Sequence, residues 1–375
     1  MKIGLVTCHN IKNYGSVYQT LATQSILEDL GHEVQVIDYR RKGTDHKEFR
    51  QLTLSESHMA KKAIIGKFVP LILYPSFIKM ENVFESFLNN YIKRTKNIYH
   101  SSEELKNNLP DMDLFITGSD QVWNSSINLR IEKTYFLDFV PDSKPRISIS
   151  SSFGKKEISA EEEKVIKPLL MKYSHISTRE KTGVQILNKM GIQGGYASMD
   201  PTLIVNRNLW DRIKKPIKTP KKYILVYQLH RNKEFDEYIK RLSKYYNMPC
   251  IRITLYYHYA LKGEKVIVTP TPNQLLTLVE NANYVISDSF HMTVFSILFH
   301  KKFAAIFSKN SFNGRIENLL DMTNLKNRIV NENTPYDKLD ENINYAIVDE
   351  IITKKQNEAL EWIKQSIGDI GGKFL

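Results

Sequence analysis

Apolar and polar positions follow two periods along the chain. KIGLVT (2–7), EVQVIDY (33–39), DLFITG (113–118), RISISSS (146–152) and HIST (175–178) are short apolar runs that end in polar residues. They read as buried strands. Between the first two, Leu21, Ile26, Leu27 and Leu30 share one face of a helix predicted from about Val17 to Leu30, which Gly31 ends. A strand, loop, helix and strand in that order build a parallel sheet. Further helices are predicted near 160–171 and 180–190.

From Arg40 to Asn108 the strand signals fade into charged, helical sequence that includes the amphipathic NVFESFLNNYI (82–92). This stretch reads as an insertion. RIKKPIKTPKK (212–222) replaces apolar periodicity with prolines and lysines and reads as a linker. Beyond it, YILVYQL (223–229), PCIRIT (249–254), NYVISDS (283–289) and KFAAIF (302–307) alternate with helices, one of them near 234–245. The expected organisation is therefore a first α/β domain over 1–211, a linker over 212–222 and a second α/β domain over 223–375. The C-terminal helix is able to pack back on the first domain.

Composition changes this picture little. The 375 residues are 42% hydrophobic and 25% charged, as in ordinary globular chains. Cys8 and Cys250 stand far apart and in no metal-ligand spacing, so neither a disulfide framework nor a zinc site is indicated. The opening MKIGLVTCHN reads as a strand and not as a signal peptide, and a cytoplasmic chain is expected. The formal net charge of +12 favours anionic partners, yet the basic residues are scattered and no nucleic-acid module is present. FVPLILYPSFI (68–78), interrupted by Pro70 and Pro75 and flanked by Lys61, Lys62, Lys67 and Lys79, reads either as a lid or buried irregular helix or as a short element resting on a membrane surface.

Four polar clusters fall where predicted strands end: NIKNYGS, TGSDQVWN, ISTREKTG and ISDSFHMTVF. In an open parallel sheet ligands bind at the carboxyl ends of strands, where loops carry polar groups and helix N-termini aim N–H groups at anions. In TGSDQVWN, Gly118 permits a sharp exit, Ser119 and Asp120 cap a helix or hold a ligand hydroxyl, and Trp123 offers a flat face for a sugar or fills a core. In ISDSFHMTVF, Ser287, Asp288 and Ser289 precede an apolar helix with His291 in its first turn. The helix dipole disfavours the imidazolium there, leaving a ring suited to proton exchange. Arg179 and Glu180 follow the HIST strand, as a surface ion pair or as ligand contacts. Lys309 and Arg315 follow the last strand.

Glycine-rich G-x-G-x-x-G, P-loop, H-E-x-x-H and G-x-S-x-G signatures are missing from the sequence. Dinucleotide oxidoreductases, P-loop enzymes, zincins and serine hydrolases lose ground accordingly. Transfer chemistry on an anionic, sugar-containing ligand remains.

Taken in order, NYGSVYQTLATQ, VIDYR, ITGSDQVWN, YFLDFV, ISISSSFGK, ISTREKTGV, MDPTL and SDSFHMTVFSILFHKKF resemble the polysaccharide pyruvyl transferase family, from about Lys2 to Leu325. One departure is Met292, where the family usually has glycine after the histidine. The resemblance implies two Rossmann-like domains of the GT-B kind facing each other across a cleft, the first on the acceptor side and the second on the donor side. It implies transfer of the pyruvyl group of phosphoenolpyruvate to two hydroxyls of a sugar in a surface polysaccharide or its lipid-linked precursor. The product is a ketal, phosphate is released, and neither metal nor cofactor is needed. On this reading His291 is the acid and Asp120 the base, with Asp288 in reserve. Arg179, Ser289, Lys309 and Arg315, with Asp288, hold the donor. Asn13, Tyr14, Ser119, Gln121, Trp123 and Asn124 orient the acceptor; the basic surface and the segment 68–78 would permit loose peripheral contact with the inner face of the membrane. The rival readings are a GT-B glycosyltransferase using a nucleotide sugar, with Glu317 or Glu332 on the ribose, and a non-catalytic protein that binds an anionic glycan.

Overall fold

The structure is a computed structural model. It describes residues 1–41, 43–44, 47–48, 50–51, 54, 69–230, 233–262, 265–307 and 313–374. Among these residues the strands form two separate parallel sheets. The first contains β1 (Lys2–Val6), β2 (Glu33–Tyr39), β3 (Arg94–Tyr99), β4 (Leu114–Thr117), β5 (Arg146–Ser151), β6 (His175–Thr178) and β7 (Tyr196–Ala197), in the order β3-β2-β1-β4-β5-β6-β7. The second contains β8 (Ile224–Tyr227), β9 (Cys250–Thr254), β10 (Val266–Val268), β11 (Tyr284–Ser287), β12 (Lys302–Ile306) and β13 (Ile329–Val330), in the order β10-β9-β8-β11-β12-β13.

Both orders reverse direction once, beside the first strand of the sheet. The reversal lies between β1 and β4, paired Ile3 to Leu114 and Val6 to Thr117, and between β8 and β11, paired Ile224 to Tyr284 and Tyr227 to Ser287. At such a point the loops leaving the two strands diverge to opposite sides and open a crevice at the carboxyl ends. The central strands β1, β4, β8 and β11 are mainly apolar because both faces are covered: Ile3, Leu5, Leu114, Phe115, Ile224, Leu225, Val285 and Ile286 are buried.

The stretch expected to be a helical insertion also contains β3, an edge strand whose sequence RTKNIY lacks an apolar run because one side of an edge strand meets water. The first helix begins earlier than periodicity predicts, at Tyr14, because Asn13 caps it and accepts from the Gly15 N–H at 2.8 Å. It is buried nearly all round, so its polar Gln19, Thr20 and Thr23 find hydrogen-bond partners within the fold.

The chain divides into two compact units. One comprises Met1–Asp45, Leu88–Asn206 and Ile352–Leu375; the other comprises His46–Phe87 and Arg207–Ile351. In the first unit, Trp362 of the terminal helix Tyr345–Phe374 stacks on Tyr196 at 5.2 Å, and Gln356 donates to the Ile204 carbonyl at 2.6 Å. In the second, Trp210 meets Phe295 edge-on at 5.0 Å. The helix Val69–Tyr91 carries Pro75 within it. Leu71, Ile72 and Tyr74 are exposed, whereas Phe77 and Met80 are buried. No helix among the described residues is long and apolar enough to cross a membrane.

Candidate functional site

At the β1–β4 reversal, backbone and hydroxyl bonds close the two strand exits on each other. Gly118 N–H donates to the Val6 carbonyl at 2.9 Å, and Thr7 Oγ1 donates to the Ser119 carbonyl at 2.8 Å. Gly118 fits because a Cβ there would press within 3.0 Å of Leu5 and Thr7. Asp120 follows at φ +78°, a left-handed conformation that costs a non-glycine residue about 1–2 kcal/mol and that a short polar side chain tolerates best. Its backbone pairs with Ser151 of β5, and its carbonyl accepts from Ser152 N–H at 3.0 Å. One carboxylate oxygen accepts from Ser16 Oγ at 3.1 Å and the other from the Gln121 N–H at 2.8 Å.

Arg179, directly after β6, is buried against three carboxylates. It lies 2.9 Å from Asp200, 3.3 Å from Glu180 and 3.7 Å from Asp120. Burial works against its charge, but Glu180, Asp200 and Asp120 outweigh it and hold the guanidinium firmly protonated. Asp200 is pinned in turn, capping the short helix Pro201–Ile204 through the Thr202 N–H and hydroxyl at 3.0 and 2.7 Å. Three acids around one arginine leave this neighbourhood anionic. Its charge balance therefore does not favour a second anion, such as a donor carboxylate, at Arg179.

Several residues predicted to lie on an exposed hydroxyl-reading surface are instead packed. Trp123 is 4% exposed; it stacks on Phe136 at 5.6 Å, meets Phe153 and Tyr173, and donates its indole N–H to the Tyr135 carbonyl at 3.0 Å. It is a core residue with no open ring face. Ser119 is fully buried and Tyr14 nearly so. Asn124 is buried as a turn cap that accepts from Ser126 N–H at 3.1 Å and donates to Gln121 Oε1 at 2.8 Å. Asp120, Gln121 and Asn13 keep partial solvent access. The error has one cause: a polar residue at a strand end satisfies the orphan backbone groups of its own turn as readily as it reads a ligand.

At the β8–β11 reversal, Asp288 closes the exits in an analogous way. Its oxygens accept from Leu229 N–H at 2.6 Å and His230 N–H at 2.8 Å, and His230 Nδ1 lies 3.2 Å away. With its side chain 2% exposed, this carboxylate staples two loops, which corrects the expectation that it lines a donor pocket. Ser289 is the N-terminal cap of the helix Phe290–Leu298, with its own N–H held by Ser287 Oγ at 3.0 Å. His291 follows in the first turn, 7% exposed, with Phe290 edge-on at 5.0 Å. The Arg315 guanidinium lies over that Phe290 ring at 5.8 Å, so Arg315 and His291 flank one aromatic side chain. Met292 is buried. Lys309 lies outside the described residues.

The sequence profile of the polysaccharide pyruvyl transferase family matches residues 13–310, most of the chain. The chain belongs to that family. No curated protein matches it. Among solved structures, UDP-GlcNAc 2-epimerase from Methanocaldococcus jannaschii, in complex with UDP-GlcNAc and UDP, is 13% identical with a TM-score of 0.50, covering 98% of this chain and 99% of that one. UDP-GlcNAc 2-epimerase from Neisseria meningitidis bound to UDP-GlcNAc is 11% identical with a TM-score of 0.50, covering 98% and 100%. At such identity the likeness shows the fold alone: two Rossmann-like α/β domains of the GT-B kind. In this polysaccharide pyruvyl transferase family member the GSDQVWN and DSFH segments leave the strands at the two sheet reversals.

Sequence reasoning missed a polar cluster beside the first reversal. His9, after β1, contacts Asp38 of β2 at 3.0 Å, and Arg40 and Arg94 reach the same carboxylate at 2.9 and 3.2 Å. Although burial works upward, the hydrogen bonds from His9 and Arg40 hold the Asp38 carboxyl far below the usual range. The signal was the acid near the end of EVQVIDY, separated by one tyrosine from two consecutive arginines.

Proposed function

We propose that the protein transfers the pyruvyl group of phosphoenolpyruvate to a sugar of a surface polysaccharide or its lipid-linked precursor, closing a ketal and releasing phosphate. The observation that carries the reading is membership of the polysaccharide pyruvyl transferase family, with Asp120 and His291 each at the carboxyl end of a strand bordering a sheet reversal. His291 delivers a proton to the methylene carbon of the enol, and C2 becomes oxocarbenium-like. One sugar hydroxyl adds to C2, the C2–O bond to phosphate breaks with its electron pair leaving on phosphate, and a second hydroxyl closes the ring. Asp120 draws hydrogen from an attacking hydroxyl and stabilises the cationic carbon by its charge. Ser289 at a helix N-terminus and Arg315 supply positive potential for the donor. Gln121 and Asn13 orient the acceptor.

The test is phosphate release from phosphoenolpyruvate by the purified chain with a panel of glycan acceptors. Release that His291→Asn and Asp120→Asn reduce by about a hundredfold or more supports the assignment. No release with any acceptor, together with no binding of phosphoenolpyruvate, removes it. Stabilisation by UDP or CMP sugars and not by phosphoenolpyruvate would transfer support to a glycosyltransferase.

A further inference from the structure

Arg41 stands two residues beyond β2 and is 9% exposed. Among the described residues its side chain has no hydrogen-bond or ion-pair partner, and its Nε is fully buried. A charged guanidinium withdrawn from water in this way is costly unless something meets it. Described carboxylates of this end of the sheet are committed elsewhere. Asp38 takes His9, Arg40 and Arg94; Asp120 takes Arg179, Ser16 and the Gln121 N–H; Glu132 takes Arg130 at 2.8 Å.

Its charge nevertheless bears on a defined place. The Cys8 thiol and the Tyr135 hydroxyl both feel Arg41, and Cys8 feels Asp120 and Arg179 as well. Neither of these groups serves as the missing counter-ion. Burial, with Asp120 adding to it, pushes the Cys8 thiol up to about 12, and burial keeps Tyr135 protonated far above neutrality. The turn that carries Arg41 is fixed there. Thr44 Oγ1 donates to the Arg41 carbonyl at 2.7 Å, and Asn10, leaving β1, donates to the Thr44 carbonyl at 3.4 Å. Arg41 is thus tied to the β1 exit, at the carboxyl-end edge of the sheet from which Asp120 also emerges after β4.

We propose that Arg41 is the anion-binding residue of the first unit, its guanidinium receiving two oxygens of a ligand carboxylate or phosphate seated at the carboxyl ends of β1 and β2. The planar fork matches either group with paired N–H donors. The assignment of this strand end as a substrate site rests on the transferase reading above. The anion is contributed by the enolpyruvyl donor or by a phosphorylated acceptor, and the two sources are separable.

The full chain, Arg41→Met and Arg41→Lys are titrated calorimetrically with phosphoenolpyruvate, inorganic phosphate and inorganic pyrophosphate, and melted with and without each anion. The wild type binds at least one of them, Arg41→Met loses that affinity by about tenfold or more, and Arg41→Lys keeps part of it. Without anion, Arg41→Met melts no lower than the wild type, because the substitution removes an unpaired buried charge. Loss confined to phosphoenolpyruvate assigns the anion to the donor; loss confined to phosphate and pyrophosphate assigns it to the acceptor. Arg41→Gln replaces the Met variant if that one does not fold. Unchanged affinities in the variant, or no binding of any of the three by the wild type, overturn the proposal. Anion binding that depends on Arg41 without phosphate release in the wild type would keep this site and remove the reaction.

Discussion

Replacing Arg179 by methionine separates a structural arginine from one that holds a donor. The substitution keeps an unbranched, shorter side chain and leaves Asp200, Glu180 and Asp120 without the cation now 2.9, 3.3 and 3.7 Å away. At an effective dielectric of about 20 each of these contacts is worth roughly 4–6 kcal/mol before desolvation. Burying the ions costs several kcal/mol apiece, so most of that attraction is offset in the intact cluster. Removing one member leaves the others buried and uncompensated, and the expected net loss is about 3–5 kcal/mol. Urea and thermal denaturation of the full chain, followed by tryptophan fluorescence and circular dichroism, read the loss directly. Phosphoenolpyruvate affinity, measured at a temperature where the variant is still folded, should change less than threefold, roughly, since the arginine is spent on its own carboxylates. A variant with stability within about 1 kcal/mol of the wild type and a donor affinity lowered tenfold would refute this account and return Arg179 to the donor.

Three further outcomes are expected. Asp38→Asn should cost about 2 kcal/mol at neutral pH. Because the folded Asp38 carboxyl titrates below its unfolded value, that contribution is complete above about pH 5, is lost as pH falls through the folded value, and leaves wild type and variant converging in acid melts. Gly154→Ala places a Cβ onto Gln121 Oε1 and 2.5 Å from Asn124 Nδ2 at a backbone φ of +60°, so the acceptor KM should rise while phosphoenolpyruvate affinity holds and stability falls by about 1–2 kcal/mol. Trp123→Ala should cost about 3–5 kcal/mol in denaturation, and Trp123→Phe should retain acceptor affinity; a Phe variant of full stability that loses acceptor binding would restore the ring as a sugar platform.

Much of the architecture was legible because a two-sided parallel sheet leaves a strong trace. LFIT, RISISS, ILVY and YVIS are buried along their whole length, and a run of that kind needs no partner information to be recognised. The edge strands β3, β10 and β13 were not legible, since RTKNIY and two- or three-residue strands carry neither period nor length. The position of the candidate site followed from the same trace, because polar residues that end an apolar run must lie at a strand exit. What the sequence left open was which of those residues face a ligand. Trp123 and Asp288 have the composition of a binding surface and the coordinates of a core residue and a loop staple.

That ambiguity is physical and not accidental. A loop at a sheet reversal must satisfy its own N–H and carbonyl groups before it can offer any to a ligand, and the two demands recruit the same side chains. Asp288 and Asn124 answer the first demand almost completely, because their oxygens already accept from backbone N–H groups. Among the described residues Arg41 answers neither, with a buried nitrogen and no acid paired to it. A side chain whose bonding capacity the fold does not use is therefore a sharper pointer to a ligand than a cluster of polar residues, and Arg41 points to an anion more sharply than Arg179, whose charge already faces three carboxylates within 3.7 Å.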